Sequence, residues 1–146
     1  MTMLMEESIA AAMDHSELHL VNDLAQLPLM TQWVEEIGER AQLAPGELFN
    51  LTLAIEEVVV NVMNYAYGDR TGMPVDLKAD FTASGLVVTL IDHGMPFDPT
   101  AAQEPDLDLP VEERPIGGLG IMLVNKLTRR VEYARQDDMN VLTLYF

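Results

Sequence analysis

The sequence contains no cysteine, which excludes disulfides and thiolate metal sites and leaves the redox compartment open. Basic side chains are also scarce: 8 Lys and Arg stand against 24 Asp and Glu, a formal charge of −16. Phosphate backbones are bound through clustered Lys and Arg, so this balance disfavours direct nucleic-acid binding. An acidic surface suits solubility or the docking of a basic protein partner. No apolar run is long enough to cross a membrane, and Glu6 and Glu7 stand where a signal peptide needs basic residues. Met1–Ser16, which holds Met1, Met3, Leu4, Met5 and Ile9, therefore reads as an N-terminal extension of a cytoplasmic protein. His15, His19 and His93 lack metal-ligand spacing, which argues against zinc.

What is present fits one domain over residues 17–146, with 49% hydrophobic residues to build its core. Alternation of Leu18 and Leu20 with polar neighbours predicts a half-buried strand around Glu17–Asn22. Leu29, Trp33, Ile37 and Ala41 recur at helical spacing and predict a helix over about Leu27–Leu43. A second helix opens at Pro45, a favoured first-turn position, and runs to about Tyr67, where Gly68 stops it. Pro74–Ala83 and Leu86–Asp92 read as a hairpin around Ser84-Gly85. The proline-rich, acidic stretch of about 96–117 has little periodicity, as a functional or a disordered segment would. Gly117–Gly120 leads into a short helix, Ile121–Thr128, and two strands, Arg130–Arg135 and Val141–Phe146, close the chain around a polar turn at Gln136–Asn140. The order predicts an α/β two-layer sandwich: a mixed, mostly antiparallel sheet with helices on one face. The Met-rich N-terminal segment and the first helix suit adaptable contacts, as a homodimer or partner face.

Three polar features interrupt this apolar frame. The helix from Pro45 is apolar nearly all round, yet at about 100° per residue Asn50, Glu57, Asn61 and Asn64 fall within roughly 60° of one another. Such a stripe is satisfied either by a buried hydrogen-bond network or by a ligand. Glu57 and Asn61 lie one turn apart, and a carboxylate beside an amide oxygen suits a hard cation such as Mg²⁺. Next, an apolar strand ends in Asp92-His93-Gly94: an acid that can accept from an exocyclic amine, then a glycine that admits a flat ring or simply makes a turn. Last, Gly117-Gly118-Leu119-Gly120 opens a helix, and exposed N–H groups at the positive end of a helix dipole form a phosphate cradle.

In this order the three features resemble the nucleotide-binding boxes of the GHKL ATPase/kinase superfamily. Within it, the likeness is to the anti-sigma-factor serine kinases. It is carried by Ala54-Ile55-Glu56-Glu57-Val58-Val59-Val60-Asn61, by Tyr65-Ala66-Tyr67, by Asp92-His93-Gly94-Met95-Pro96-Phe97-Asp98-Pro99 and by Gly117-Gly118-Leu119-Gly120-Ile121. It spans about residues 17–146. Many superfamily members carry a second glycine where Pro96 stands, so this turn is stiffer.

The resemblance implies a GHKL (Bergerat) ATP-binding fold with ATP and Mg²⁺ as cofactors. Asn61 is the implied Mg²⁺ ligand and Glu57 the general base. Asp92 is the implied contact to the adenine amine, and Gly94 lets the ring pack against the strand end. Gly117, Gly118 and Gly120 wrap the phosphates as the segment of about 96–117 closes over them as a lid, Arg114 touches the terminal phosphate, and Thr143 adds an adenine contact. The implied function is an anti-sigma regulatory factor with serine kinase activity toward an anti-anti-sigma protein, a serine-bearing antagonist. In its other state it sequesters a sigma factor or an analogous regulated protein. The alternative is a non-catalytic ATP-binding module that works by sequestration alone.

Overall fold

A computed structural model describes residues 14–101 and 118–146. The period-2 patterns become five strands: β1 (Asp14–Val21), β2 (Pro74–Thr82), β3 (Gly85–Asp92), β4 (Arg130–Gln136) and β5 (Met139–Tyr145). They form one sheet in the order β1-β2-β3-β5-β4, and each of the four pairings is antiparallel. β1 begins at Asp14, three residues ahead of the start that its alternation predicts.

One face of the sheet is the core face. Leu20, Val75, Leu77, Ala79, Val88, Leu90 and Leu144 are all buried there. The interleaved residues face away from the helices. Glu17 pairs with Lys78, Lys78 with Thr89, Thr89 with Thr143 and Thr143 with Glu132, one cross-strand row on the open face. Because side chains alternate with period 2, this register decides which polar residues can reach a site under the helices.

Helices α1 (Leu27–Arg40), α2 (Pro45–Asn61) and α3 (Gly118–Leu127) form the second layer. On α1 the buried stripe is Met30, Trp33, Val34 and Ile37. Leu29, which the sequence pattern places in that stripe, lies about 80° from Ile37 around the helix and is 50% exposed. The Trp33 indole N–H donates to Ser16 Oγ at 2.9 Å, tying the helix to β1. Pro45 opens α2, and Glu47 Oε1 accepts the Ala44 N–H at 2.9 Å. Leu51, Ala54, Ile55, Val58 and Val59 are its buried side.

The sequence pattern predicts an uninterrupted helix to Tyr67. The α-helix instead ends at Asn61, and Val62–Ala66 forms a wide π-type turn. A π turn closes i→i+5 rings and advances by only about 80° per residue. Asn64 therefore swings roughly 120° from Asn61, out of the predicted polar stripe, and Tyr65 swings into line with it. The stripe itself is less buried than its apolar flanks suggest. Asn50 and Asn64 are exposed, while Glu57 and Asn61 are half-buried. Gly68, at φ 61°, adopts the left-handed conformation that ends the segment as predicted.

Candidate functional site

β3 alternates Leu86, Val88, Leu90 and Asp92 onto the core face, so its last inward position is a carboxylate, 4% exposed. A charge there demands donors. Asp92 Oδ1 accepts two hydrogen bonds, from the Gly94 N–H at 2.8 Å and from Asn140 Nδ2 at 3.0 Å. Asn140 sits directly opposite Asp92 in the β3–β5 register and is 5% exposed. The sequence reading puts Asn140 in a turn, but the reversal needs only Asp137 and Asp138, both left-handed at φ 47° and 63°. Such a pair suits a two-residue hairpin, and Asp tolerates the conformation.

The backbone after Asp92 is pressed against the π turn. Met95 N–H donates to the Ala66 carbonyl at 2.9 Å. A Cβ added at Gly94 would overlap that carbonyl oxygen and lie 2.7 Å from its carbon. This contact alone accounts for the glycine, apart from any need to admit a ring. Tyr67 closes the other side: its hydroxyl donates to the Pro74 carbonyl at 2.5 Å and accepts the His93 N–H at 2.7 Å. Burial pushes the Tyr67 phenol above its usual range, and the nearby Asp92 and Asp76 carboxylates add to the shift.

Beside this junction lies a pocket of about 270 Å³. Val58, Leu90, Ile121, Val124 and Leu142 give it apolar walls, while Asn61, Asp92 and Asn140 supply polar groups. Tyr65, Met95 and Phe97 also line it and remain 48%, 63% and 56% exposed. An apolar slot with a few convergent polar groups suits a flat organic ring.

The structure thus brings Asn61 and Asp92 to one pocket. Glu57 lies one turn before Asn61, half-buried and outside the pocket wall. The helix carrying Gly118 and Gly120 starts earlier than predicted, at Gly118, so both glycines fall in the first turn of α3. The N–H groups of a first turn have no partner within the helix, and Ile121, one turn on, lines the pocket. Thr143 is not brought in: it faces Thr89 on the open side of the sheet. Asn140, in phase with the buried Leu142 and Leu144, occupies the inward position instead. That phase is visible in the sequence. Arg114, Gly117, most of the lid and residues 1–13 lie outside the described residues.

Sequence reasoning also missed Tyr133 and Arg135. The Tyr133 hydroxyl donates to Asn140 Oδ1 at 2.5 Å, and Arg135 Nη1 donates to the Gly94 carbonyl at 2.8 Å. Among the described residues no three His, Cys, Asp or Glu side chains are grouped to hold a metal, and no helix is long and apolar enough to cross a membrane.

Residues 20–146 match the family model described as the histidine kinase-like ATPase domain. The chain is 29% identical over 112 residues to serine/threonine-protein kinase BtrW of Bordetella bronchiseptica, covering 77% of this chain and 79% of that protein. It is 26% identical over 110 residues to serine-protein kinase RsbW of Bacillus cereus, covering 73% and 68%. A solved structure of RsbU and RsbW domains from Mycobacterium tuberculosis superposes with a TM-score of 0.61 at 14% identity, covering 88% of this chain but 31% of that one. The histidine kinase domain of a blue-light activated kinase from Erythrobacter litoralis gives 0.53 at 18% identity, covering 82% of this chain and 58% of that one. The antiparallel sheet under its helices, the Asp92 pocket and this match over nearly the whole length place the chain in the histidine kinase-like ATPase domain family, whose fold uses ATP.

Proposed function

We propose that the chain is an ATP-dependent serine kinase that phosphorylates a serine-bearing anti-anti-sigma protein and, in its other state, sequesters a sigma factor or an analogous regulated protein. The observation that carries the nucleotide half is the convergence of Asp92 and Asn61 on one apolar pocket with the first turn of α3 beside it. The kinase half is supported by the relatives' names. The partner half is supported by the sequence likeness to anti-sigma-factor kinases.

The residues fit the proposed ligands. Asp92 Oδ2 takes part in neither bond that holds Oδ1, so it is the oxygen left for an exocyclic amine. Asn61 offers one amide oxygen at the pocket wall. A single protein ligand fits Mg²⁺, which keeps several waters and is otherwise held by substrate phosphates. Mg²⁺ would supply neutralisation of the phosphate charge. Gly118 and Gly120 present first-turn N–H groups to the phosphates, with Gly117 and Arg114 joining them in the proposal. In this reading Glu57, half-buried outside the ring pocket and one turn from Asn61, orients and deprotonates a serine hydroxyl arriving from solvent.

Incubation with labelled ATP and a candidate serine-bearing partner tests this. Label on the partner supports the kinase, release as phosphate points to a free-standing ATPase, and retention in ATP points to a sequestering module. Glu57→Ala is expected to cut transfer about 10²–10⁴-fold while nucleotide binding persists. Asn61→Ala is expected to lose Mg²⁺-dependent binding. Undiminished transfer by Glu57→Ala would sink the assignment. A homodimer through Met1–Ser16 and α1 belongs to the same proposal. Leu29 on α1, 50% exposed, supports it, and a strict monomer in light scattering removes it.

A further inference from the structure

We infer that Asn140 is a positioning residue that fixes the plane of the Asp92 carboxylate, and with it the direction of the acceptor turned to the ligand, and so sharpens the preference for a 6-amino over a 6-oxo purine. This rests on the ATP reading above. The amide orientation follows from its neighbours, because only one of the two flips satisfies them. Nδ2 lies between two acceptors, Asp92 Oδ1 at 3.0 Å and the Met95 carbonyl at 2.8 Å. Oδ1 faces three donors: the Tyr133 hydroxyl at 2.5 Å, the Phe97 N–H at 3.3 Å and Arg135 Nη1 at 3.3 Å. Turning the amide over would set an oxygen against two acceptors and an NH₂ group against the two N–H donors of Phe97 and Arg135.

The carboxylate is oriented in consequence. With Oδ1 held by Asn140 and Gly94, Oδ2 is the acceptor presented to a ligand. An acceptor fixed in a buried site welcomes an amine and rejects a carbonyl, since opposing two acceptors leaves both desolvated and unpaired. Asn140 also holds Met95 and Phe97, which line the same pocket. Removing it frees the carboxylate to turn and loosens the wall that the ring rests on.

The test is the ratio of Kd values for ATP and for ITP, in which a carbonyl oxygen replaces the exocyclic amine, measured by calorimetry. Wild type is expected to prefer ATP, and Asn140→Ala to narrow that preference by about tenfold. A purely structural role would weaken both nucleotides alike, so an unchanged ratio overturns the inference. Arg135→Ala provides a second variant should Asn140→Ala fail to fold. Arg135 is exposed and holds Asn140 Oδ1 and the Gly94 carbonyl from outside. It is expected to narrow the ratio by a smaller factor, and a ratio equal to wild type counts against the inference. A folded wild-type chain that binds neither nucleotide overturns the ATP reading and this inference with it. A wild type that prefers ATP beside variants with an unaltered ratio overturns this inference alone.

Discussion

Gly94→Ala separates a structural reason for the glycine from a ligand-binding one. The added methyl would overlap the Ala66 carbonyl oxygen and lie 2.7 Å from both the carbonyl carbon and the Cβ of Ala66. These are atoms of the π turn, not the far end of a flexible side chain, so either the strand end or the turn must move. Forcing one extra methyl into a packed site costs about 1–3 kcal/mol. The shift also strains the Met95 N–H bond to Ala66 at 2.9 Å and the Gly94 N–H bond to Asp92 at 2.8 Å, and losing one of them adds about 1 kcal/mol. The expected loss is about 2–4 kcal/mol.

Urea titration without nucleotide reads this directly. At about 3 °C per kcal/mol for a chain of this size, the thermal midpoint should fall by about 6–12 °C. Gly46→Ala is the control: a Cβ there meets nothing within 4 Å, in the first turn of α2. It should leave stability unchanged or raise it by about 0.5–1 kcal/mol. If Gly94→Ala matched that control without nucleotide and lost only ATP affinity, the packing argument would be wrong and the ring-approach reading would replace it.

Other consequences follow from buried contacts and shifted titrations. Leu77→Ala, at a fully buried position of β2, should cost about 2–5 kcal/mol in urea unfolding. A loss below 1 kcal/mol would deny that this face is the core. Tyr67→Phe leaves the His93 N–H without its acceptor and should cost about 1–3 kcal/mol, read the same way. His15 hydrogen-bonds Glu17 at 2.6 Å and Asp80 at 2.7 Å, and these bonds raise its pKa above 6.5. Its contribution is full below pH 6.5 and fades as pH rises through the raised folded value. Glu17, lowered from 4.5 chiefly by the same bond, contributes above pH 4.5 and loses that as pH falls through its folded value. An NMR titration should show the His15 pKa dropping toward 6.5 in Glu17→Gln; a pKa unmoved by that change would refute the coupling.

The layers were legible because each strand and helix carries a periodic pattern, and the helix stop at Gly68 was legible because it needs positive φ. Two elements were not. The π turn leaves no signature in Val62-Met63-Asn64-Tyr65-Ala66, whose apolar spacing fits an ordinary helix equally well. The length of the β4–β5 turn was misjudged because Asp137, Asp138 and Asn140 are all turn-prone, and only pairing shows that Met139 and Asn140 belong to β5. Thr143, the adenine contact that the resemblance implies, faces the open side of the sheet, while Asn140, in phase with the inward Leu142 and Leu144, holds Asp92. Asn61, Asp92 and Gly94 were legible because each stands out chemically from its apolar surroundings. Tyr133 and Arg135 act through tertiary contacts alone.

Three of the four sequence words that carry the family likeness, Ala54–Asn61, Tyr65–Tyr67 and Asp92–Pro99, form a single mechanical unit. Asn61 is the last residue of α2, and the π turn that follows ends in Ala66, whose carbonyl holds Met95. Gly94 connects Met95 to Asp92, and Asp92 is held across the sheet by Asn140. The path from the proposed metal ligand to the ring acceptor therefore runs through two packed turns and contains no long loop. A π turn replaces ordinary helical bonds with wider rings, and it persists only where its surroundings hold it. Here those surroundings are the Gly94–Met95 backbone itself. Displacing that backbone should release Val62–Ala66 toward ordinary helix and rotate Asn64 back beneath Asn61. Amide exchange should then rise together at Met95 and through 62–67 in Gly94→Ala, beyond what the global loss of stability accounts for. Exchange that rises at Met95 alone would show that the turn stands without its neighbour.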